Sequence, residues 1–79
     1  MSIYSGTPVE QAYAQGRDDG YASGVHDSAD GLGYAGDVMS AGMTQARLAH
    51  RKSERGYWLG FVRGYREVVR TFAHGRWGS

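Results

Sequence analysis

His26, Asp27 and Asp30 fall within one five-residue stretch, with Asp18 and Asp19 a helical turn or two upstream. An imidazole beside several carboxylates is the raw material of a divalent-cation site. Hard cations, however, recruit six or more oxygens from a defined loop, and the calcium-loop spacing is absent here. The stretch therefore reads as a solvated acidic loop, and no metal is expected. His50 and His74 lie on the inner or border faces of helical patterns, and neither has a serine or carboxylate at relay spacing. The glycines recur every four residues inside helical patterns, whereas a phosphate cradle needs consecutive free backbone N–H groups after a strand. With no cofactor motif and no paired catalytic groups, the chain is expected to be no enzyme.

The stronger chemical signal is charge. Residues 1–45 set Arg17 against six carboxylates, a net of −5, while residues 46–79 set eight cations against Glu54 and Glu67, a net of +6. Such asymmetry marks either a half that faces nucleic acid or two halves that face and neutralise each other. Arg47, Arg51, Lys52, Arg55, Arg63, Arg66 and Arg70 form the possible nucleic-acid or acidic-partner face, with Tyr57, Trp58 and Tyr65 nearby. The aromatic residues lie on the opposite arc from the arginines, so they read as core rather than as stacking platforms. No helix-turn-helix is evident.

These side chains are positioned by one stretch above all, Glu54 to His74. On an ideal helix Tyr57, Trp58, Phe61, Val62, Tyr65, Val68, Val69 and Phe72 share an arc of about 140°. Arg63, Arg66 and Arg70 collect opposite, and Gly56, Gly60 and Gly64 border the apolar arc. Each helix-interior glycine costs roughly 0.5–1 kcal/mol relative to alanine. Over six of them, Gly16, Gly20, Gly24, Gly42, Gly60 and Gly64, the cost is on the order of 5 kcal/mol. A cost of that size argues that Gly16, Gly20, Gly24, Gly60 and Gly64 are helix-packing positions where backbones approach closely.

Thr7-Pro8-Val9-Glu10 predicts a helix start, with Thr as N-cap, Pro in the first turn and Glu closing a capping box. An offset of 44 residues exposes a weak internal repeat, Y-x-x-G-x-x-x-G-Y-x-x-x-V, from Tyr13 to Val25 and from Tyr57 to Val69. Two helices so alike can pack with near two-fold symmetry, one acidic where the other is basic. Residues 26–36 read as a loop. Asp37 then caps a middle helix from about Val38 to Lys52. The apolar stripe keeps its phase through His50 to Gly56, so the middle and last helices form either one continuous helix of roughly 55 Å, which predicts a dimer, or two helices bent near Ser53 in a three-helix packing. The bend is the reading adopted.

The fold expected is thus all-α, a small bundle of two long glycine-striped helices and a middle helix, in one domain over residues 1–79. Residues 1–6 read as a frayed N-terminus and residues 75–79 as a C-terminal tail. No disulfide is possible without cysteine, and no run approaches the roughly 20 apolar residues of a membrane span. The N-terminus lacks the features of a signal peptide, so a cytoplasmic protein is expected. The apolar arc is too wide for two short helices to cover. Trp58, Phe61, Val62, Phe72 and Trp77, with Arg76, are therefore the expected partner-binding residues.

Small size, Gly/Tyr-rich helices, arginine in place of lysine and the lack of a catalytic motif together resemble short bacteriophage-encoded proteins of GC-rich hosts. That resemblance is one of style rather than of motif. It implies a modulator or inhibitor that binds and blocks a host protein complex, of the anti-defence type, working in the host cytoplasm. A nucleic-acid-binding accessory protein using the basic face and a self-assembling virion component are the alternatives; a monomer or simple homodimer accords with the modulator.

Overall fold

The computed structural model describes residues 6–73, and these form three helices and no strand: α1 Pro8–Ser28, α2 Ala35–Leu48 and α3 Lys52–Ala73. The tail residues Arg76 and Trp77, His74 and most of the N-terminal segment lie outside the described residues. Helix α1 starts at the capping box: the Thr7 side chain accepts from the Glu10 amide at 3.2 Å and the Glu10 carboxylate accepts from the Thr7 amide at 3.0 Å. It runs on through Ser28, so the loop expected from His26 begins three residues later. Its end is a Schellman closure, with Leu32 N–H donating to Asp27 O and Gly31 N–H to Ser28 O. Gly31 takes the left-handed conformation that this closure requires, at φ +85°, and Leu32 follows at φ +58°. A leucine in that region is uncommon and held at a cost of order 1 kcal/mol.

Helix α2 does not begin at an Asp37 cap. Tyr34 occupies the N-cap, its carbonyl accepting from Val38 N–H, and Asp37 sits in the first turn, where a carboxylate favours the helix dipole. The helix stops at Leu48 rather than Lys52. Ala49 is extended at ψ 133°, which breaks the chain between the second and third helices four residues before Ser53. The uninterrupted helix is thereby excluded, and the three-helix packing is the one adopted. His50, expected on an inner face, falls in this break and is exposed.

Helices α1 and α3 run parallel as one closely packed pair. A Cβ on Gly16 would overlap the Tyr57 carbonyl and one on Gly20 the Phe61 carbonyl; from the other side, a Cβ on Gly60 would meet the Tyr13 carbonyl and one on Gly64 that of Arg17. These contacts interchange when 44 is added to α1 positions and subtracted from α3 positions. Gly24 meets Val68, its own counterpart, with 2.8 Å between a Cβ there and Val68 Cβ. The missing side chains let carbonyl oxygens face Cα hydrogens across the seam, contacts worth at most about 1 kcal/mol each.

Helix α2 packs chiefly on α3, setting Gly42 against Val62 and burying Ala46. The side of α1 that corresponds to Val62 carries Asp18, and a carboxylate does not offer the apolar seat a second such helix would need. The three helices consequently lie side by side, 39 × 31 × 16 Å, and the radius of gyration of 13.1 Å exceeds the roughly 12 Å of a compact chain of this length. Among the described residues, only Tyr65 and Val68 are fully enclosed large side chains.

Candidate interaction surfaces

On α3 the direction toward α1 and the direction toward α2 are nearly opposite, which leaves two free flanks. One flank is aromatic. Tyr57 and Trp58 meet edge-on at 5.2 Å between ring centroids, Trp58 and Phe61 at 5.6 Å, and Phe61 stacks with Tyr65 at 6.3 Å. Such geometries add about 0.5–1.5 kcal/mol per pair beyond burial. The row is pinned to α1 by two hydroxyls: Tyr57 donates to Asp19 Oδ2 and Tyr65 to Asp27 Oδ2, both at 2.7 Å. Asp19, which corresponds to Arg63 at the 44-residue offset, thus receives a tyrosine hydroxyl at the seam. The Tyr57 hydroxyl is pushed up to about 12, first by its bond to Asp19 and then by burial. Tyr65 rises to about 12 as well, burial coming first and the bond to Asp27 second.

Where α2 leans on this flank, Val38, Ala41, Gly42 and Gln45 face Trp58 and Phe61 across an open groove of about 500 Å³. Val38 also lines a second hollow of about 390 Å³ with Leu32, Tyr34, Tyr65, Asp27 and Asp30. The two hollows therefore meet at Val38, apolar along their length and acidic at one end. The strained Leu32 forms part of that acidic end.

Of the expected partner-binding residues, Trp58 and Phe61 border the groove, and Phe72 is 36 % exposed. Val62 does not belong with them. It is 4 % exposed and covered by α2 at Gly42, because the α2 side of α3 is the part of the apolar arc that the fold itself uses. The groove residues from α2 and the 29–34 link escaped the sequence reading. Val38 stands at the expected start of the middle helix, but nothing local in the sequence tells which rim of that helix stays open.

The other flank is basic. Lys52, Arg55, Arg63, Arg66 and Arg70 are all exposed and fall within an arc of about 80° on α3. The expected single face of residues 47–70 is divided by its neighbours. Arg47 joins Arg55 and Leu59 in a hollow between α2 and α3, Arg51 is exposed in the break between those helices, and Arg63 shares a cleft with Arg17, Tyr21 and Glu67 between α1 and α3. Arg17 and Tyr21 are contributions the sequence reading did not find; only the parallel pairing of α1 with α3 brings them there.

His26 is exposed, its Nδ1 3.5 Å from Asp27 Oδ1. Among the described residues no group of three His, Asp or Glu side chains is placed to hold a metal ion, and no helix is long and apolar enough to cross a membrane. The fold and its two flanks define a small three-helix all-α protein with opposed aromatic and basic surfaces. No protein-family model matches the sequence, and neither a curated protein nor a solved structure matches it.

Proposed function

We propose that the chain is a non-enzymatic interaction module that grips one protein partner through the groove between α2 and α3. The observation that carries this reading is that Trp58 and Phe61, packed edge-to-face, line an open groove with Ala41 and Gln45 instead of being sealed. Half-covered aromatic rings in a concave apolar setting are the usual anchors of tight protein interfaces. The carboxylates of Asp27 and Asp30 at one end favour a partner segment with an apolar side chain for the groove and a Lys or Arg beyond it. The resemblance to short phage proteins adds that the partner belongs to a host complex in the host cytoplasm, and that occupancy blocks it.

The test is cross-linked capture from source-cell lysate with wild type, Ala41→Arg and Asp30→Lys. Ala41 and Asp30 are exposed, so both variants keep the fold. A partner that disappears with both variants and survives Arg66→Glu, on the opposite flank, supports the reading. Capture indifferent to Ala41→Arg defeats it. Light scattering on the purified protein separates the alternative of a self-assembling component: a monomer or simple dimer fits the modulator, and a large closed assembly fits a scaffold.

A further inference from the structure

The basic flank lies opposite the groove and is independent of it. We infer that it is a binding track for single-stranded nucleic acid, in which α3 supplies the cations for the phosphates and the cleft at Tyr21 receives an unpaired base. From Lys52 to Arg70 the ridge is roughly 27 Å long at 1.5 Å per residue. Arg17 widens it from α1 and Arg47 from α2, where each shares a hollow with a ridge residue. All seven cations are exposed.

Two observations select nucleic acid over an acidic protein. Protein interfaces are more than half apolar in area, yet on the α3 ridge itself the only apolar side chain before Ala73 is Leu59, at 38 % exposure, with Met43 and Ala46 beside it where the ridge meets Arg47. Protein–nucleic acid interfaces are polar and positive, as this flank is. The second observation is Tyr21, 46 % exposed and lining the same cleft of about 310 Å³ as Arg17 and Arg63. A ring beside two guanidinium groups is the arrangement on which an unpaired base stacks while its phosphates are neutralised. Within duplex DNA the bases are already stacked on one another, so the cleft favours a single strand. Glu67 also lines the cleft, opposite in sign to its neighbours, and keeps a phosphate toward the Arg17 and Arg63 side.

The experiment is fluorescence anisotropy with a labelled twenty-residue oligothymidylate, its duplex counterpart and a twenty-residue polyglutamate, from 50 to 300 mM salt. With five to seven phosphates neutralised, the log–log salt slope for the single strand is about −4, which lowers affinity roughly 250-fold between 50 and 200 mM. Arg66→Glu with Arg70→Glu reduces affinity more than tenfold and flattens the slope, while Gln45→Ala in the opposite groove leaves both unchanged. Tyr21→Ser weakens the single strand roughly tenfold and leaves duplex binding as it was. Circular dichroism checks the fold of each variant; should the Glu pair unfold, Arg66→Gln with Arg70→Gln gives the same reading. Polyglutamate or duplex bound as tightly as the oligothymidylate, a flat salt response, or indifference to the Arg66 and Arg70 changes overturns the inference. None of these outcomes touches the α2–α3 groove, whose own test is the Ala41→Arg capture.

Discussion

The Tyr65 hydroxyl donates to Asp27 Oδ2 across the seam between α1 and α3 at 2.7 Å, joining residues 38 apart in sequence. Tyr57 repeats the contact with Asp19 at the same separation and distance, two turns earlier. Tyr65→Phe is expected to destabilise the fold by about 1–2 kcal/mol, since a bond to a charged acceptor is lost while Asp27, 40 % exposed, recovers water. Tyr57→Phe costs less because its ring is only half-buried. The sites lie roughly 12 Å apart along α3, so urea unfolding of the double variant should give the sum of the two losses.

The same pair governs alkaline stability. Both hydroxyls hold their protons more tightly in the folded chain, up to about 12 against about 10 when unfolded. A raised pKa means the folded state keeps protons that the unfolded state releases. The stabilisation is therefore complete below pH 10 and is lost as pH climbs from 10 through 12. Absorbance at 295 nm should show two of the six tyrosines titrating late, and the Tyr57→Phe/Tyr65→Phe double variant should lose less stability over that interval than wild type.

Adding one methyl group at Gly20 should separate sign from propensity. Alanine is about 1 kcal/mol better than glycine inside a helix, yet a Cβ at Gly20 overlaps the Phe61 carbonyl, which is backbone and cannot rotate away. Gly20→Ala is therefore expected to destabilise by about 3 kcal/mol or more, at or beyond the upper end of overpacking. Gly36→Ala in α2 meets nothing within 4 Å and should stabilise by about 0.5–1 kcal/mol. Thermal melts of the two variants moving in the same direction would contradict the close seam.

Thr7→Ala removes the acceptor of the Glu10 amide at the start of α1. A loss of about 1 kcal/mol is expected, with faster amide exchange confined to the first turn as its signature.

The start of α1 was legible because every atom of the capping box lies within four residues of Thr7. The all-helical class was legible from periodicity. Asp37 has the side chain of a cap, but α2 begins where the Tyr34 carbonyl meets Val38 N–H, a backbone event that residue type does not announce. Three glycines crowd residues 31–36, and composition alone does not say that Gly31 takes the left-handed turn. Val62 was misread for a different reason. A helical wheel shows how wide an apolar arc is, but not which part a neighbour covers, and α2 took that part. The Asp19 and Asp27 contacts were out of reach because their partners are 38 residues away.

Helix α2 packs on α3 far less extensively than α1 does and has almost no purchase on α1. Its grip is much weaker than that of the long seam, and the chain should come apart in two stages rather than one. Gentle denaturant would first peel the short helix away like a shutter, baring Trp58 and Phe61 to solvent while Tyr65 stays hydrogen-bonded. A red shift in tryptophan emission that precedes the loss of helical ellipticity would record that order.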